Sequence, residues 1–272
     1  MQSAVDTHAH VFPPDFPIPE GSGNKPASYE MKTREEYLAT LREHGMTHGM
    51  LVQPSTYQTD NAAMLDAIAH AGGAVKGTAV LEVAISEAAL DDLARRNIIG
   101  ARFNIIDLNP DEFAKPETAG MLERLRERDW WTEIHAFAPS FVSLAPILER
   151  CAGRLMFDHM GRPRIEHGLN EPGFRRFLEL GRSGRHCAKL SGAIRISKQA
   201  FPFTDVDPYV HAVIDAFGIE NCVWGSDWPF ITLEQRITYP QTLEWLERIF
   251  PRAEDRRRIL WENPVRLFGY GA

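Results

Sequence analysis

Short runs of β-forming residues alternate with helix-forming stretches along the whole 272-residue chain. Strands that alternate with helices pair in parallel, because each helical connection returns the chain to the same end of the sheet. Eight such units favour closure into a (β/α)8 barrel, the TIM-barrel fold, which needs about 250 residues. The predicted strands are residues 4–10, 47–53, 74–81, 98–104, 131–137, 154–159, 186–191 and 221–226. We therefore predict a single (β/α)8 catalytic domain over residues 1–272.

Composition excludes several kinds of partner. The formal net charge is −7, so the sequence offers no basic surface for nucleic acid or an anionic membrane. Cys151, Cys187 and Cys222 are too few and too scattered for a disulfide framework or a thiolate metal cluster. The sequence has neither an apolar run of membrane-spanning length nor a basic, apolar leader. These features predict a cytoplasmic protein without nucleic-acid or membrane partners, and they leave open whether it is a monomer or a homodimer.

The first predicted strand ends in the pair His8-x-His10. Alternate side chains of a strand share a face, so Asp6, His8 and His10 are expected to point the same way. One face of each strand in a small barrel looks into the lumen, where the two imidazoles would converge. A buried imidazole without a partner costs free energy, so we expect this pair to meet a metal ion, a substrate or an acidic group.

Other polar side chains stand at the carboxyl ends of four further predicted strands. They are Arg102 and Asn104, Glu133 and His135, His159, and Asp227. Active sites of (β/α)8 barrels are built at this end, from the ends of several strands. The sequence therefore predicts an active site at this rim. The proline-rich segment 12–29 follows the first strand, and we expect it either to cover the rim or to be an ordinary surface loop.

Several motifs, taken together and in this order, resemble the amidohydrolase superfamily, of the amidohydrolase 2 type. They are His8-x-His10, His159 after strand six, and the sequence GSDWP at residues 225–229. The sequences QPS at 53–55, TDN at 59–61, DHMGR at 158–162 and KLSGAIRIS at 189–197 narrow the resemblance. They are similar to the branch that contains 2-pyrone-4,6-dicarboxylate lactonase and related sugar-lactone hydrolases and isomerases.

The resemblance implies roles for individual residues. The implied catalytic cluster is His8, His10, His159 and Asp227. The implied substrate-binding residues are Ser55, Arg102, Arg162, Arg195 and Tyr29, with Asn104 and His135 beside them. Two departures matter: the pyrone lactonases have a further arginine where this chain reads IIDL at 105–108, and a phenol where it has His135. A missing cation and an added imidazole argue against the planar dicarboxylate and leave room for a hydroxylated sugar-acid lactone. The expected substrate is therefore a small acidic lactone, with a 2-pyrone-4,6-dicarboxylate-like lactone, a muconolactone and an aldarolactone as the candidates.

Opening a lactone requires an attacking water, a polarised carbonyl and a proton for the leaving oxygen. Asp227 is expected to act as the general base and to return the proton to the leaving group. The three histidines would polarise the carbonyl oxygen in one of two ways, and both remain open. They would act as hydrogen-bond donors, or they would hold one divalent cation, Zn²⁺ or Mn²⁺, together with Asp227.

Three alternatives to lactone hydrolysis remain. The first is a lactone isomerase, in which Asp227 or His135 moves a proton without water. The second is a metal-dependent carboxy-lyase acting on a small unsaturated or aromatic acid. The third is a barrel that binds sugar acids without catalysis, and the presence of a water-activating carboxylate beside three histidines argues against it.

Overall fold

The protein is described here by a computed structural model that covers residues 3–23, 25–106, 113–150 and 153–271. One sheet of eight parallel strands forms its centre, and neighbours along the chain are neighbours in the sheet. The strands are β1 (Val5–Ala9), β2 (His48–Val52), β3 (Val75–Ala79), β4 (Ile98–Asn104), β5 (Trp131–His135), β6 (Arg154–Phe157), β7 (Cys187–Leu190) and β8 (Cys222–Trp224). All eight predicted strands and the predicted TIM-barrel fold are confirmed, although most strands end slightly earlier than the sequence pattern suggests.

Helices surround the sheet and connect its strands. The α-helices are Arg34–Glu43, Ala62–His70, Glu87–Arg95, Pro116–Glu127, Phe141–Leu148, Pro172–Gly181, Ala193–Ile196, Asp207–Phe217, Tyr239–Ile249, Ala253–Arg257 and Asn263–Phe268, and a π-helical turn spans Arg258–Glu262. A large apolar core lies between the helices and the sheet, and it includes Leu51, Ile134, Phe157 and Leu190 from the strands. None of the helices described is long and apolar enough to cross a membrane.

The barrel lumen is apolar toward the amino ends of the strands. Val5, Met50, Met156, Cys187 and Val223 pack there against Leu267, Phe268 and Tyr270 near the end of the chain. Two hydrogen bonds anchor this floor, because Trp131 Nε1 donates to the carbonyl of Leu267 at 3.2 Å and the Tyr270 hydroxyl donates to the carbonyl of Gly49 at 2.7 Å. The polar side chains of the lumen therefore lie toward the opposite, carboxyl-terminal rim.

The barrel closes where β1 meets β8. A parallel bridge joins Ala9 to Trp228, just beyond the end of β8. The Asp227 N–H donates to the carbonyl of His8 at 2.8 Å, and the His10 N–H donates to the carbonyl of Trp228 at 2.8 Å. Below them, the Thr7 hydroxyl donates to the carbonyl of Trp224 at 2.8 Å. The closing strands thus carry the two histidines and Asp227 on adjacent backbones.

The expectation that Asp6 shares a face with His8 and His10 is wrong. The pairing of β1 with β2 shifts register between Asp6 and Ala9, and an extra residue there changes which side chains face the lumen. Asp6 instead accepts hydrogen bonds from the Ser226 N–H at 2.9 Å, the Ser226 hydroxyl at 2.6 Å and the Tyr239 hydroxyl at 3.0 Å. Its carboxylate stabilises the junction between β1 and the segment after β8. It does not belong to the group of polar side chains in the lumen.

Some positions named from the sequence lie outside the described residues. Asp107 and Leu108, which form half of the stretch where relatives have a further arginine, are among them, as is Cys151. Cys187 and Cys222 are buried free thiols, and burial raises the pKa of Cys187 to about 12.

Replacing Asp6 with alanine should lower the free energy of unfolding by about 2–4 kcal/mol, because it leaves buried donors of Ser226 and Tyr239 unpaired. Burial raises the folded-state pKa of Asp6 from 3.8 to about 6, so the stabilisation is fully present below pH 3.8, is lost as the pH rises to about 6, and should be larger at pH 5 than at pH 8. Urea unfolding of the wild type and of Asp6→Ala at pH 5 and pH 8 measures the two free energies of unfolding. Asp66→Ala, at a part-exposed ion pair with Arg34, serves as the control. An Asp6→Ala loss no larger than that of the control would contradict the assignment.

Candidate active site

Three imidazoles surround one carboxylate oxygen at the carboxyl-terminal rim. His8 and His10 come from β1 and its end, His159 from the turn after β6, and Asp227 from the segment after β8. The Nε2 atoms of His8, His10 and His159 lie 3.8, 3.7 and 3.8 Å from Asp227 Oδ1. All four residues are buried. The structure thus brings the predicted catalytic cluster together.

Tight turns after the strands aim these side chains inward. His159 and Asp227 have φ values of 48° and 65°, in the left-handed region that non-glycine residues seldom adopt. Two glycines make room for the imidazoles. A Cβ at Gly225 would lie 2.5 Å from Cβ of His8, and one at Gly192 would lie 2.6 Å from Nδ1 of His159. This close approach explains why glycine stands in the KLSG and GSDWP sequences.

Each imidazole is held through its Nδ1 atom by a different partner. His10 Nδ1 lies 2.7 Å from the carbonyl oxygen of Val52, which only accepts, so His10 carries a proton on Nδ1. His159 Nδ1 lies 2.9 Å from the Ser191 hydroxyl, which can donate or accept. His8 Nδ1 lies 3.3 Å from Nζ of Lys189. The second nitrogen of each ring, Nε2, faces Asp227 Oδ1, and His10 and His159 also line the cavity.

The electrostatics keep His8 and His159 neutral and Asp227 ionised. Burial lowers the pKa of His8 to about 3 and holds that of His159 well below its usual value. Burial alone would raise the pKa of Asp227, but the Arg195 guanidinium outweighs it and holds that pKa well below its usual range. Arg195 Nε donates to Asp227 Oδ2. Within the described structure, Asp227 Oδ1 and His8 Nε2 are buried and have no hydrogen-bond partner.

A layer of buried charged side chains lies directly beneath the cluster. Lys189 Nζ donates a hydrogen bond to Glu133 and lies 3.7 Å from Oδ1 of Asp158. Arg102 donates to Asp158 Oδ2 through Nε at 2.9 Å, and Thr78 donates to Glu133. Burial and the nearby Asp158 raise the pKa of Glu133, whereas the Lys189 ammonium lowers it, and Oε1 accepts from Lys189 in either protonation state.

Sequence reasoning did not single out Asp158 or Lys189, although both lie within the motifs it quoted. A pattern in the sequence does point to Lys189. Cys187, Lys189 and Ser191 alternate along β7, so a lysine stands on the lumen face of an otherwise apolar strand. A fully buried lysine is rare without a paired carboxylate. Glu133 on β5 also faces the lumen and pairs with Lys189.

The cluster opens into a cavity of about 630 Å³ at the rim. The predicted substrate-binding residues on its wall are Ser55, Arg102, Asn104, His135, Arg162 and Arg195. Tyr29 is not among them, since its side chain is 61% exposed and stacks against Arg236 at 4.2 Å. The cavity wall includes residues 231–235 after β8 and, among the described residues, none of segment 12–29. Phe12 of that segment packs against Tyr57 instead.

The three arginines on the cavity wall have different partners. Arg102 is paired with Asp158, and Arg195 with Asp227. Arg162 packs over the ring of Phe137 at 4.6 Å, and its Nη1 lies 3.3 Å from Nε2 of His135. Of these three, Arg162 alone has no carboxylate partner within the described part of the chain. Burial lowers the pKa of Arg162 to about 10, which still leaves the guanidinium charged near neutral pH.

His135, which the sequence analysis marked as a departure from the relatives, is oriented by its neighbours. Its Nδ1 lies 3.0 Å from Oδ1 of Asn104, and its Nε2 faces Arg162. A guanidinium only donates, so His135 accepts through Nε2 and donates through Nδ1 to Asn104. Burial and Arg102 hold the pKa of His135 well below its usual value.

The positions of the donor atoms suit one divalent cation. Ligand atoms of His8, His159 and Asp227 lie within 4.8 Å of one another, and an unpartnered carboxylate oxygen and imidazole nitrogen face each other among them. Two or three imidazoles with a carboxylate form a familiar zinc or manganese ligand set. His8, Glu133 and Asp158 form a second such group. The ammonium of Lys189 lies among the atoms of this second group.

A model of the amidohydrolase family matches residues 5–270, so the chain belongs to that family. The 4-sulfomuconolactone hydrolase of Rhizobium radiobacter is 29% identical over 275 residues, which cover 98% of this chain and 90% of that protein. The D-galactarolactone isomerase of Agrobacterium fabrum is 28% identical, with 98% and 91% covered. The crystal structure of a probable 2-pyrone-4,6-dicarboxylic acid hydrolase from Acinetobacter baumannii, with citric acid bound, superposes with a TM-score of 0.90 at 32% identity, covering 99% of this chain and 100% of that one. The resemblance drawn from the motifs is confirmed.

Proposed function

We propose that this protein hydrolyses the ring ester of a small acidic lactone. The observation that carries the proposal is the unpartnered, buried Oδ1 of Asp227, which lies 3.7–3.8 Å from three imidazole nitrogens at the base of an open cavity. A buried carboxylate oxygen without a hydrogen bond is costly unless a ligand or water completes it. Relatives that cover nearly the whole chain are named as lactone hydrolases and a lactone isomerase, which supports the same substrate class.

Asp227 is the group that activates water. Its low pKa keeps it as a carboxylate, and Arg195 holds Oδ2 so that Oδ1 faces the cavity. Oδ1 takes a proton from water as the water oxygen bonds to the carbonyl carbon. The acyl–oxygen bond of the ring then breaks, and the same proton passes from Asp227 to the leaving ring oxygen. The products are a hydroxyl group and a new carboxylic acid on one open chain.

The imidazoles act on the carbonyl oxygen of the lactone. Nε2 atoms that carry a proton donate to the oxyanion as it forms, and their buried setting strengthens that interaction. A divalent cation, Zn²⁺ or Mn²⁺, held by His8, His10, His159 and Asp227 would supply Lewis-acid polarisation of the same oxygen. In both cases Ser191 and Val52 orient the rings from behind.

Arg162 is the side chain that would recognise the acidic group of the substrate. Arg102 and Arg195 are already paired with carboxylates, whereas Arg162 faces the cavity with no such partner in the described structure. Phe137 and His135 hold its guanidinium in place. One available arginine matches one carboxylate. We therefore propose a lactone with a single carboxylate, whose hydroxyl groups would be met by Asn104 and Ser55 on the same wall.

Lactone isomerisation is the second candidate. His135 and Asp227 both line the cavity, and Asp227 Oδ1, which has no hydrogen-bond partner in the described structure, can take up and return the proton that isomerisation moves. We further propose that the protein works in the cytoplasm as a monomer or a homodimer.

Replacing Asp227 with asparagine should lower kcat for lactone hydrolysis by at least about 1,000-fold, because the amide cannot accept a proton from water. Product affinity, measured by calorimetry, should change far less. The matched control is Asp207→Asn, at a surface ion pair with Arg248, which should retain full turnover. Substantial turnover by the Asp227→Asn enzyme would refute this mechanism.

Replacing Arg162 with methionine should raise KM for a monocarboxylate lactone at least about tenfold while leaving an uncharged lactone unaffected, because only the former loses a charged hydrogen bond. Arg164→Met is the matched control, since Arg164 also packs over Phe137, at 5.4 Å, yet is not on the cavity wall. Equal effects of the two substitutions, or a wild-type preference for dicarboxylates, would argue against Arg162 as the single anion site.

A further inference from the structure

Lys189 is a fully buried ammonium with a contact that the proposed chemistry does not use. It lies on the lumen face of β7, below the catalytic cluster. Its Nζ donates to Glu133, lies 3.7 Å from Asp158 Oδ1, and lies 3.3 Å from Nδ1 of His8. Neutralising the carboxylates of Glu133 and Asp158 does not require contact with an imidazole nitrogen. The contact with His8 therefore points to a further role for Lys189.

The contact with His8 fixes where that ring carries its proton. An ammonium is a donor only, so it can hydrogen-bond to Nδ1 of His8 only if Nδ1 has a lone pair. A neutral imidazole with an unprotonated Nδ1 carries its proton on Nε2. That Nε2 is the buried atom that faces Asp227 Oδ1 across 3.8 Å, next to the cavity.

Asp158 is the competing partner of His8 Nδ1. Its Oδ1 also lies 3.3 Å from that nitrogen. However, Oδ1 of Asp158 accepts no hydrogen bond within the described structure, while its Oδ2 is held by Arg102. The Lys189 contact has hydrogen-bond geometry and the Asp158 contact does not, and the Lys189 ammonium, 3.7 Å from Asp158 Oδ1, compensates the charge on that oxygen. The arrangement therefore favours the tautomer with the proton on Nε2.

His10 shows the opposite arrangement, two residues away. The Val52 carbonyl requires a proton on Nδ1 of His10, which leaves a lone pair on Nε2. Histidines that bind metals donate their other N–H to an oxygen acceptor in this manner. His10 fits that pattern, whereas His8 has the opposite arrangement, with a lone pair on Nδ1 and the proton on Nε2. The His-x-His pair thus presents one acceptor and one donor toward Asp227 Oδ1, at the base of the cavity.

We propose that Lys189 is a positioning residue that makes His8 a hydrogen-bond donor to the lactone carbonyl and disfavours metal coordination by His8. Its ammonium also occupies the second potential cation site, formed by His8, Glu133 and Asp158. The part concerning the lactone carbonyl depends on the proposed hydrolase function. The parts concerning the His8 proton and metal affinity do not.

The first test uses the wild-type protein. Nitrogen-15 NMR of protein labelled at histidine reports which ring nitrogen carries the proton, and a His8→Gln variant assigns the His8 signals. The expected result is a protonated Nε2 on His8 and a protonated Nδ1 on His10. A proton on Nδ1 of His8 in the metal-free protein would overturn the proposal.

The second test removes the ammonium. Lys189→Met alone leaves Glu133 unpaired, so Glu133→Gln/Lys189→Met is measured beside it, because glutamine still accepts from Thr78. In either variant the His8 proton should move to Nδ1, toward Asp158, and zinc affinity measured by calorimetry should rise at least about tenfold. The kcat for lactone hydrolysis should fall while KM stays nearly constant.

The matched control is Lys76→Met, which removes a part-buried lysine near Tyr270, at the opposite end of the barrel. It should leave the His8 tautomer, zinc affinity and kcat unchanged. Unchanged tautomer and zinc affinity in the folded double variant would show that Lys189 only neutralises charge. If no lactone is hydrolysed but the tautomer and zinc results hold, the hydrolase proposal fails and the role of Lys189 toward His8 stands.

Discussion

The closure of the barrel between β1 and β8 is the constraint on which the site depends. Two backbone hydrogen bonds, from Asp227 to His8 and from His10 to Trp228, join the strand that carries two imidazoles to the segment that carries the carboxylate. Asp6 fastens the same closure through Ser226 and the Tyr239 hydroxyl. The separations of His8 and His10 from Asp227 are therefore set by backbone pairing. A site built on paired strands keeps its geometry better than one built on loops.

Charge in the lumen is arranged in two levels. The lower level pairs Lys189 with Glu133 and Arg102 with Asp158, which satisfies buried charges that would otherwise be costly. The upper level pairs Arg195 with Asp227, but only through Oδ2, so that Oδ1 remains available. Most cations near the cavity are thereby occupied. Among the three arginines of the cavity wall, Arg162 is the exception within the described structure.

Much of the fold and part of the site could be predicted from the sequence. The alternation of strand and helix patterns predicts the barrel, and residues at strand ends predict the rim that holds His159 and Asp227, since both depend on local periodicity. The register shift in β1 could not be predicted, because strict alternation assigns Asp6 to the lumen. The sequence also cannot show which arginines are paired, or that Tyr29 points away, because those facts depend on contacts between distant segments.

The tautomers are a further property that motifs do not show. His8 and His10 are interchangeable in a His-x-His pattern, yet a lysine lies behind one ring and a backbone carbonyl behind the other. Those partners come from β7 and β2, on either side of the closed barrel. The difference between the two rings bears directly on whether a metal or a hydrogen bond polarises the substrate.

The central claim is that water activated by Asp227 attacks the lactone carbonyl. The most direct measurement is turnover of a monocarboxylate lactone in water enriched in oxygen-18, followed by mass spectrometry and carbon-13 NMR of the product. The account predicts that one solvent oxygen enters the new carboxyl group and none enters the new hydroxyl. An unlabelled isomeric lactone, release of carbon dioxide, or label in the hydroxyl group would contradict it.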